Sequence, residues 1–377
     1  MVTRRLHAPE DQGVTFVELF FDLVFVFAVT EVTKLTAGDL TLAGVARSTL
    51  LFWLIWWAWT QFTWTLNPAD TSHTLVRALT LAATATAFVM AASVTRAFGD
   101  EVLWFAVPYL LVRLIGLALQ VRIDLERTEV AHRPILWWTG LSCIGLALVL
   151  AGALVDTPER YWLWVAAIVA DVVAASSGGA RHEWDIGAAH FAERHGLFVI
   201  IALGESLIVA ATAVSGDDRT GSLIAATGAG LAVACLLWWT YFAQLKDATE
   251  HWMAQADRIG PVARDAFSLG HFPLVCGIIG FATALEEIVH HPAAVPATEV
   301  TLALGMGVTL FVASSAFALW RVSREVLVPR LVILAVTMGV LALLSSSSAT
   351  WQLGIVAVGL GAIAGVEGRR ELGTPRT

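Results

Sequence analysis

The sequence predicts an all-α integral membrane protein, with about twelve transmembrane helices arranged as two parallel six-helix repeats. Three observations carry that expectation. Of 377 residues, 57% are hydrophobic and only 14% charged, well under the quarter that soluble domains carry, and mean hydropathy is +0.73. Apolar windows of about 20 residues, enough to cross the hydrocarbon at about 1.5 Å per residue, recur almost without pause. The Lys and Arg residues between those windows gather on alternate loops.

In chain order the windows are 15–35, 43–66, 75–96, 102–122, 135–155, 160–178, 195–215, 221–245, 266–289, 298–320, 330–347 and 350–367. Placing both termini on one side gathers seventeen basic residues there: Arg4, Arg5, Arg77, Arg122, Arg127, Arg133, Arg181, Arg194, Lys246, Arg258, Arg264, Arg321, Arg324, Arg330, Arg369, Arg370 and Arg376. Lys34, Arg47, Arg96, Arg160 and Arg219 go opposite. The positive-inside rule makes the richer side cytoplasmic, and an odd span count would scramble the split. The organisation expected is a cytoplasmic segment 1–14, a first six-helix half 15–178, a cytoplasmic linker 179–194, a second half 195–367 and a cytoplasmic tail 368–377.

Arg4 and Arg5 before an apolar run imitate a secretory signal, but Glu18 and Asp22 interrupt the run and no small-residue cleavage site follows. It is read as the first span. A net charge of −8 without a basic stripe excludes nucleic acid as a partner. The lipid bilayer and a small ion, proton or small-molecule substrate remain as partners. Cys143, Cys235 and Cys276 are too scattered for a metal cluster or a disulfide framework. No cofactor fingerprint is present, so neither metal nor cofactor is expected.

A duplication runs through the chain. Phe16-Val17-Glu18 aligns with Phe191-Ala192-Glu193 and, after one skipped residue, Ala28-Val29-Thr30-Glu31 aligns with Ala202-Leu203-Gly204-Glu205. Asp22 then falls opposite Gly196. Trp56-Trp57 recurs as Trp238-Trp239. Six spans per half would relate the halves by an axis along the membrane normal.

Ionisable side chains inside a bilayer cost about 2.5–3.5 kcal/mol each and mark candidate sites. Glu18 and Asp22, four apart, share one helical face. Either one holds a proton or a cation bridges them, or both accept hydrogen bonds from an arginine or from helix ends. The cluster His190 to Gly196 contributes Glu193, and Glu205 is the deepest acid. His190 and Glu193 share a face but supply too few donors for a metal site. Arg113 and Asp171 are single charges of opposite sign, suited to a mutual salt bridge. His271 near Asp265 could relay protons, and His290-His291 follow Glu286-Glu287 toward the outside. Sixteen tryptophans are many. Trp64, Trp137, Trp138, Trp162 and Trp164 fit an interfacial belt. Trp53, Trp56, Trp57 and Trp59, with Trp238 and Trp239, are the candidates for lining an aromatic cavity or simply packing. Gly277 and Gly280, and Gly361 and Gly365, would permit close helix contact.

The stretches Val17-Glu18-Leu19-Phe20-Phe21-Asp22-Leu23-Val24-Phe25-Val26 and His190-Phe191-Ala192-Glu193-Arg194-His195-Gly196 through Gly204-Glu205-Ser206 resemble the bacterial low temperature requirement protein A family over nearly the whole chain. That resemblance implies a multipass bacterial inner-membrane protein linked to growth in the cold, without an assigned molecular activity. Glu18-Leu19-Phe20-Phe21-Asp22 also looks like the Phe-Ser-Asp signature of a potassium-channel family of bacteria and lysosomes, although Phe21 replaces the serine and Gly196 stands where the second half would need an Asp.

The leading functional expectation is a proton- or cation-coupled transporter working through Glu18, Asp22, Glu193 and Glu205. The alternatives are an intramembrane enzyme acting on a lipid or isoprenoid, a cation channel, and a non-catalytic membrane scaffold.

Overall fold

A computed structural model describes residues 6–7, 12–126, 132–177, 184–216, 219–243 and 245–369. Arg4, Arg5, Arg127, Arg181, Arg370 and Arg376, which contribute to the charge asymmetry, lie outside the described residues, as do parts of the expected linker and tail. The described regular structure is helical apart from one isolated bridge, His7 with Ala69. The helices are α1 (Phe16–Gly38), α2 (Leu42–Leu66), α3 (Thr74–Ala92), α4 (Leu103–Leu125), α5 (Arg133–Ala153), α6 (Glu159–Ser177), α7 (Ala188–Val214), α8 (Gly221–Phe242), α9 (Lys246–Ala254), α10 (Ile259–Ala263), α11 (His271–His290), α12 (Thr298–Ser323), α13 (Val328–Leu343) and α14 (Ala349–Glu367).

Among the described residues, nine helical segments are long and apolar enough to cross a membrane, and the chain is a multipass membrane protein. In lipid this is the expected solution, because a helix satisfies its own backbone polar groups. Helices α1, α6 and α13 fall outside the nine. The first carries Glu18, Asp22, Glu31 and Lys34, the second Glu159, Arg160 and Asp171, and the third has 16 residues.

The chain divides into two compact units. The first comprises Met1–Val32, Ala46–Arg194 and Asp257–Arg264; the second comprises Thr33–Val45, His195–Ala256 and Asp265–Thr377. In the first, small residues bring α5 and α6 together: a Cβ added at Gly152 would lie 2.6 Å from the Trp164 ring, whose Nε1 donates to the Val149 carbonyl at 3.1 Å. Arg160 is buried and donates to the carbonyls of Phe98 at 2.9 Å, Val155 at 3.0 Å and Gly152 at 3.2 Å. Carbonyls left over where helices end are a favourable environment for a cation.

The second unit is built on the α11–α12 crossing. A Cβ at Gly277 would meet the Gly307 carbonyl at 2.5 Å, and one at Gly307 would meet the Phe281 nitrogen at 2.7 Å. The expectation that Gly277 and Gly280 permit contact is realised there. Gly361 and Gly365 differ: nothing lies within 4 Å of an added Cβ at either, so α14 does not use them for packing. It uses Gly359, against Thr337 of α13. Before α11 the chain makes a π turn over Arg264–Leu269, and Gly270 N–H donates to the Asp265 carbonyl, five residues back, at 3.0 Å.

Candidate functional site

The first turn of α1 builds one wall of the candidate site. Thr15 donates to the Glu18 carboxylate from its backbone N–H at 3.0 Å and from its hydroxyl at 2.8 Å. A carboxylate in the first helical turn gains from the exposed N–H groups and the helix dipole. One turn later Asp22 projects from the same face, and both acids are 0% exposed.

The opposite wall is the start of α7, where His190 and Arg194 are likewise one turn apart and share a face. Arg194 places one guanidinium nitrogen 3.4 Å from Glu18 and donates a short hydrogen bond from another to Asp22. His190 Nε2 lies 3.1 Å from Glu18 Oε1. The orientation of the imidazole follows from its other side. Asn67, at the end of α2, accepts from Gly187 N–H at 2.7 Å and directs its amide nitrogen to His190 Nδ1 at 3.0 Å. Nδ1 therefore accepts, and the ring proton sits on Nε2, where it donates to Glu18.

Trp59 of α2 closes the cluster. Its indole N–H donates to Asp22 Oδ1 at 2.7 Å, and its ring lies 5.7 Å from the Arg194 guanidinium carbon, in cation–π range. Phe21 packs on Phe62 at 4.5 Å and Trp56 on Trp59 at 5.0 Å, which keeps the surroundings apolar. Asp22 Oδ2 and Arg194 Nε are buried with no hydrogen-bond partner among the described residues. With a neutral imidazole, two carboxylates face one guanidinium, so the cluster is one positive charge short of neutrality.

A second buried group in the same unit is balanced. Arg113 of α4 and Asp171 of α6 form a two-pronged pair at 2.8 and 3.0 Å. Gln61 accepts from Arg113 Nε at 2.6 Å, and Tyr109 accepts from Nη1 at 2.8 Å. Every charge there has an opposite, the architectural arrangement of a satisfied core pair.

The remaining sequence candidates are dispersed. Glu193 is exposed, one residue out of phase with the face that meets the acids. Glu205 is buried at 5% exposure in the second unit. There His271 accepts from the Tyr241 hydroxyl at 2.7 Å and donates from Nδ1 to the Ala266 carbonyl at 2.9 Å. Trp53, Trp56, Trp57 and Trp59 pack among themselves, with the Trp53 and Trp57 rings stacked at 5.6 Å. Trp238 and Trp239 are 43% and 50% exposed.

Sequence reasoning missed Asn67 and Gln61, and it counted Arg194 only among the basic residues of the cytoplasmic side. It also missed Arg330 of α13, which forms a two-pronged pair with Glu367 of α14 at 2.8 Å per contact and donates to Ser315 and to the Thr240 carbonyl. The i, i+4 spacing of His190 and Arg194, mirroring that of Glu18 and Asp22, was the available signal. Among the described residues, no group of three or more His, Cys, Asp or Glu is placed to hold a metal ion.

The family model described as bacterial low temperature requirement A protein matches residues 13–365. An uncharacterized protein of Rhizobium meliloti (strain 1021) is 30% identical over 327 residues, covering 83% of this chain and 78% of that one. No solved structure matches.

Proposed function

We infer that this chain, which belongs to the bacterial low temperature requirement A protein family, is a proton-coupled transporter of a small solute. The observation that carries the reading is the unequal charge at Glu18, Asp22 and Arg194, with one buried carboxylate oxygen of Asp22 left without a partner. A proton on that oxygen makes the cluster neutral; its loss leaves a buried negative charge that favours a rearranged or rehydrated state. Alternation between two such states is what couples a proton to a conformational change. A small cation would serve the same charge, and the two-to-one ratio supports either ion.

The architecture assigned with this reading is twelve spans in two parallel six-helix halves, both termini cytoplasmic, in the bacterial inner membrane. The seventeen-to-five distribution of basic residues and the motif duplication support it. The enzyme, channel and scaffold readings have no comparable observation behind them.

Proteoliposomes enclosing a pH-sensitive dye, challenged with a bacterial small-metabolite extract, provide the test. Wild-type protein should give an extract-dependent change of lumenal pH, and Asp22→Asn should abolish it while Glu193→Gln leaves it intact. No wild-type response, or an equal response in Asp22→Asn, overturns the reading.

A further inference from the structure

Glu18, Asp22, Arg194 and Trp59 are all 0% exposed, so in this conformation a proton reaches the acid pair only through a side chain. Two groups that can carry one touch Glu18. The hydroxyl of the half-buried Thr15 lies at 2.8 Å. The imidazole of His190, 5% exposed, has Nε2 at 3.1 Å from one carboxylate oxygen and 3.3 Å from the other. Arg194, at 3.4 Å, keeps its proton at any working pH. A hydroxyl does not hold an added proton in neutral water, whereas an imidazole takes one on one nitrogen and releases one from the other.

The outer nitrogen of that imidazole is covered. Asn67 Nδ2 lies 3.0 Å from His190 Nδ1, and the backbone of Gly187 fixes which way the amide points. Asn67 Oδ1 accepts from Gly187 N–H at 2.7 Å, and Nδ2 donates to the Gly187 carbonyl at 3.2 Å. Turning the amide over would set oxygen against oxygen and N–H against N–H. Asn67 therefore presents a donor to Nδ1, and a ring carrying a proton on Nδ1 does not fit beneath it. The charged groups facing the ring are Glu18 of α1, with Asp22 one turn beyond, and Arg194 of its own helix.

We propose that His190 is the proton relay to the acid pair and that Asn67 is the positioning residue that gates it, an inference that rests on the proton-coupled reading above. When Asn67 withdraws, Nδ1 takes a proton from a hydronium ion while Nε2 passes its own to a Glu18 oxygen. One N–H bond forms and one breaks, the ring stays neutral, and Glu18 becomes a carboxylic acid. Glu18 and Asp22 share Arg194, so that proton makes the cluster neutral. The ring is left with its N–H on Nδ1, which the Asn67 amide rejects. The gate stays open until the first tautomer returns, and one proton passes per opening.

Full-length protein in phosphatidylcholine nanodiscs, with isotopically labelled histidine read by nitrogen NMR at neutral pH, tests the gate; the His190 signals are those absent from His190→Gln. Wild type should show Nε2 protonated and Nδ1 bare. Asn67→Asp keeps an oxygen facing Gly187 N–H and turns the other edge into an acceptor, so both ring nitrogens should be protonated, a change that a purely structural asparagine would not produce. The relay is timed by infrared absorption of the protonated carboxyl after light releases a caged proton, the band being assigned by its loss in the Glu18→Gln, Asp22→Asn double variant. His190→Gln still donates to Glu18 but cannot relay, and should slow the band at least about tenfold. Asn67→Ala should speed it several-fold. Wild-type His190 protonated on Nδ1, an unchanged spectrum in Asn67→Asp, Asn67→Ala no faster than wild type, or His190→Gln as fast as wild type would overturn the proposal and leave proton coupling standing. No carboxyl band in wild type would overturn the charge-deficit reading and the relay with it.

Discussion

Removing Arg194 and removing the charge of Asp22 should have opposite consequences for stability. Glu18, Asp22 and Arg194 are all 0% exposed, so Arg194→Met strands two carboxylates in an apolar setting. Breaking one partner out of a buried ion pair costs about 3–5 kcal/mol, and a second stranded acid places this variant at the upper end. Asp22→Asn keeps the oxygen that accepts from Trp59 at 2.7 Å and from Arg194, losing only the charge assistance of those bonds. It also removes the unpaired negative charge. The two effects nearly cancel, and the change should stay within about 1 kcal/mol. The assay is reversible unfolding in mixed micelles by added denaturing detergent, followed by far-ultraviolet circular dichroism. If Asp22→Asn destabilises the protein as much as Arg194→Met, the guanidinium requires both acids as counter-ions. The charge-deficit argument behind proton coupling would then be refuted.

The Arg113–Asp171 pair should behave differently because its charges balance. Arg113→Met or Asp171→Leu alone should cost about 3–5 kcal/mol, while the double variant should recover most of that loss; additive losses in the same unfolding assay would count against a direct pair. At the α11–α12 crossing, Gly307→Val should lower the yield of folded protein sharply, since the first added carbon would already lie 2.7 Å from a backbone nitrogen. Gly339→Ala, with nothing within 4 Å, should change stability by no more than about 0.5 kcal/mol, and size-exclusion profiles of both variants check the contrast.

The helices were legible because lipid leaves a chain little choice: where apolar windows recur, the backbone must satisfy itself locally. The acid pair was legible because Glu18 and Asp22 interrupt an otherwise apolar window, where charges are costly. Their partners were obscured by the expected alignment of the two halves. Aligning Glu18 with Glu193 drew attention to an acid that is exposed, whereas helical phase selects His190 and Arg194. The sequence raised the arginine alternative without identifying which arginine. Trp238 and Trp239 are 43% and 50% exposed whereas Trp56 and Trp57 are buried, so the same residue pair need not meet the same surroundings. Arg330 and Glu367 sit close to helix ends, where a charge normally reaches water, and only their bidentate meeting distinguishes them from surface residues. Gly277 and Gly361 look alike in sequence, and which glycine receives a neighbour depends on helix rotation that hydropathy does not encode.

That rotation has a definite source at the π turn of 264–269. Such a turn holds one peptide more than the α path would, and each residue of an α-helix advances the azimuth by about 100°. Excising a single residue there would swing the whole of α11 by roughly that angle. Gly277 would leave the Gly307 carbonyl, and His271 would lose the Tyr241 hydroxyl. One surplus peptide thus acts as the indexing pin for twenty downstream residues, and a chain shortened by that one residue would assemble with the wrong side of that helix turned inward.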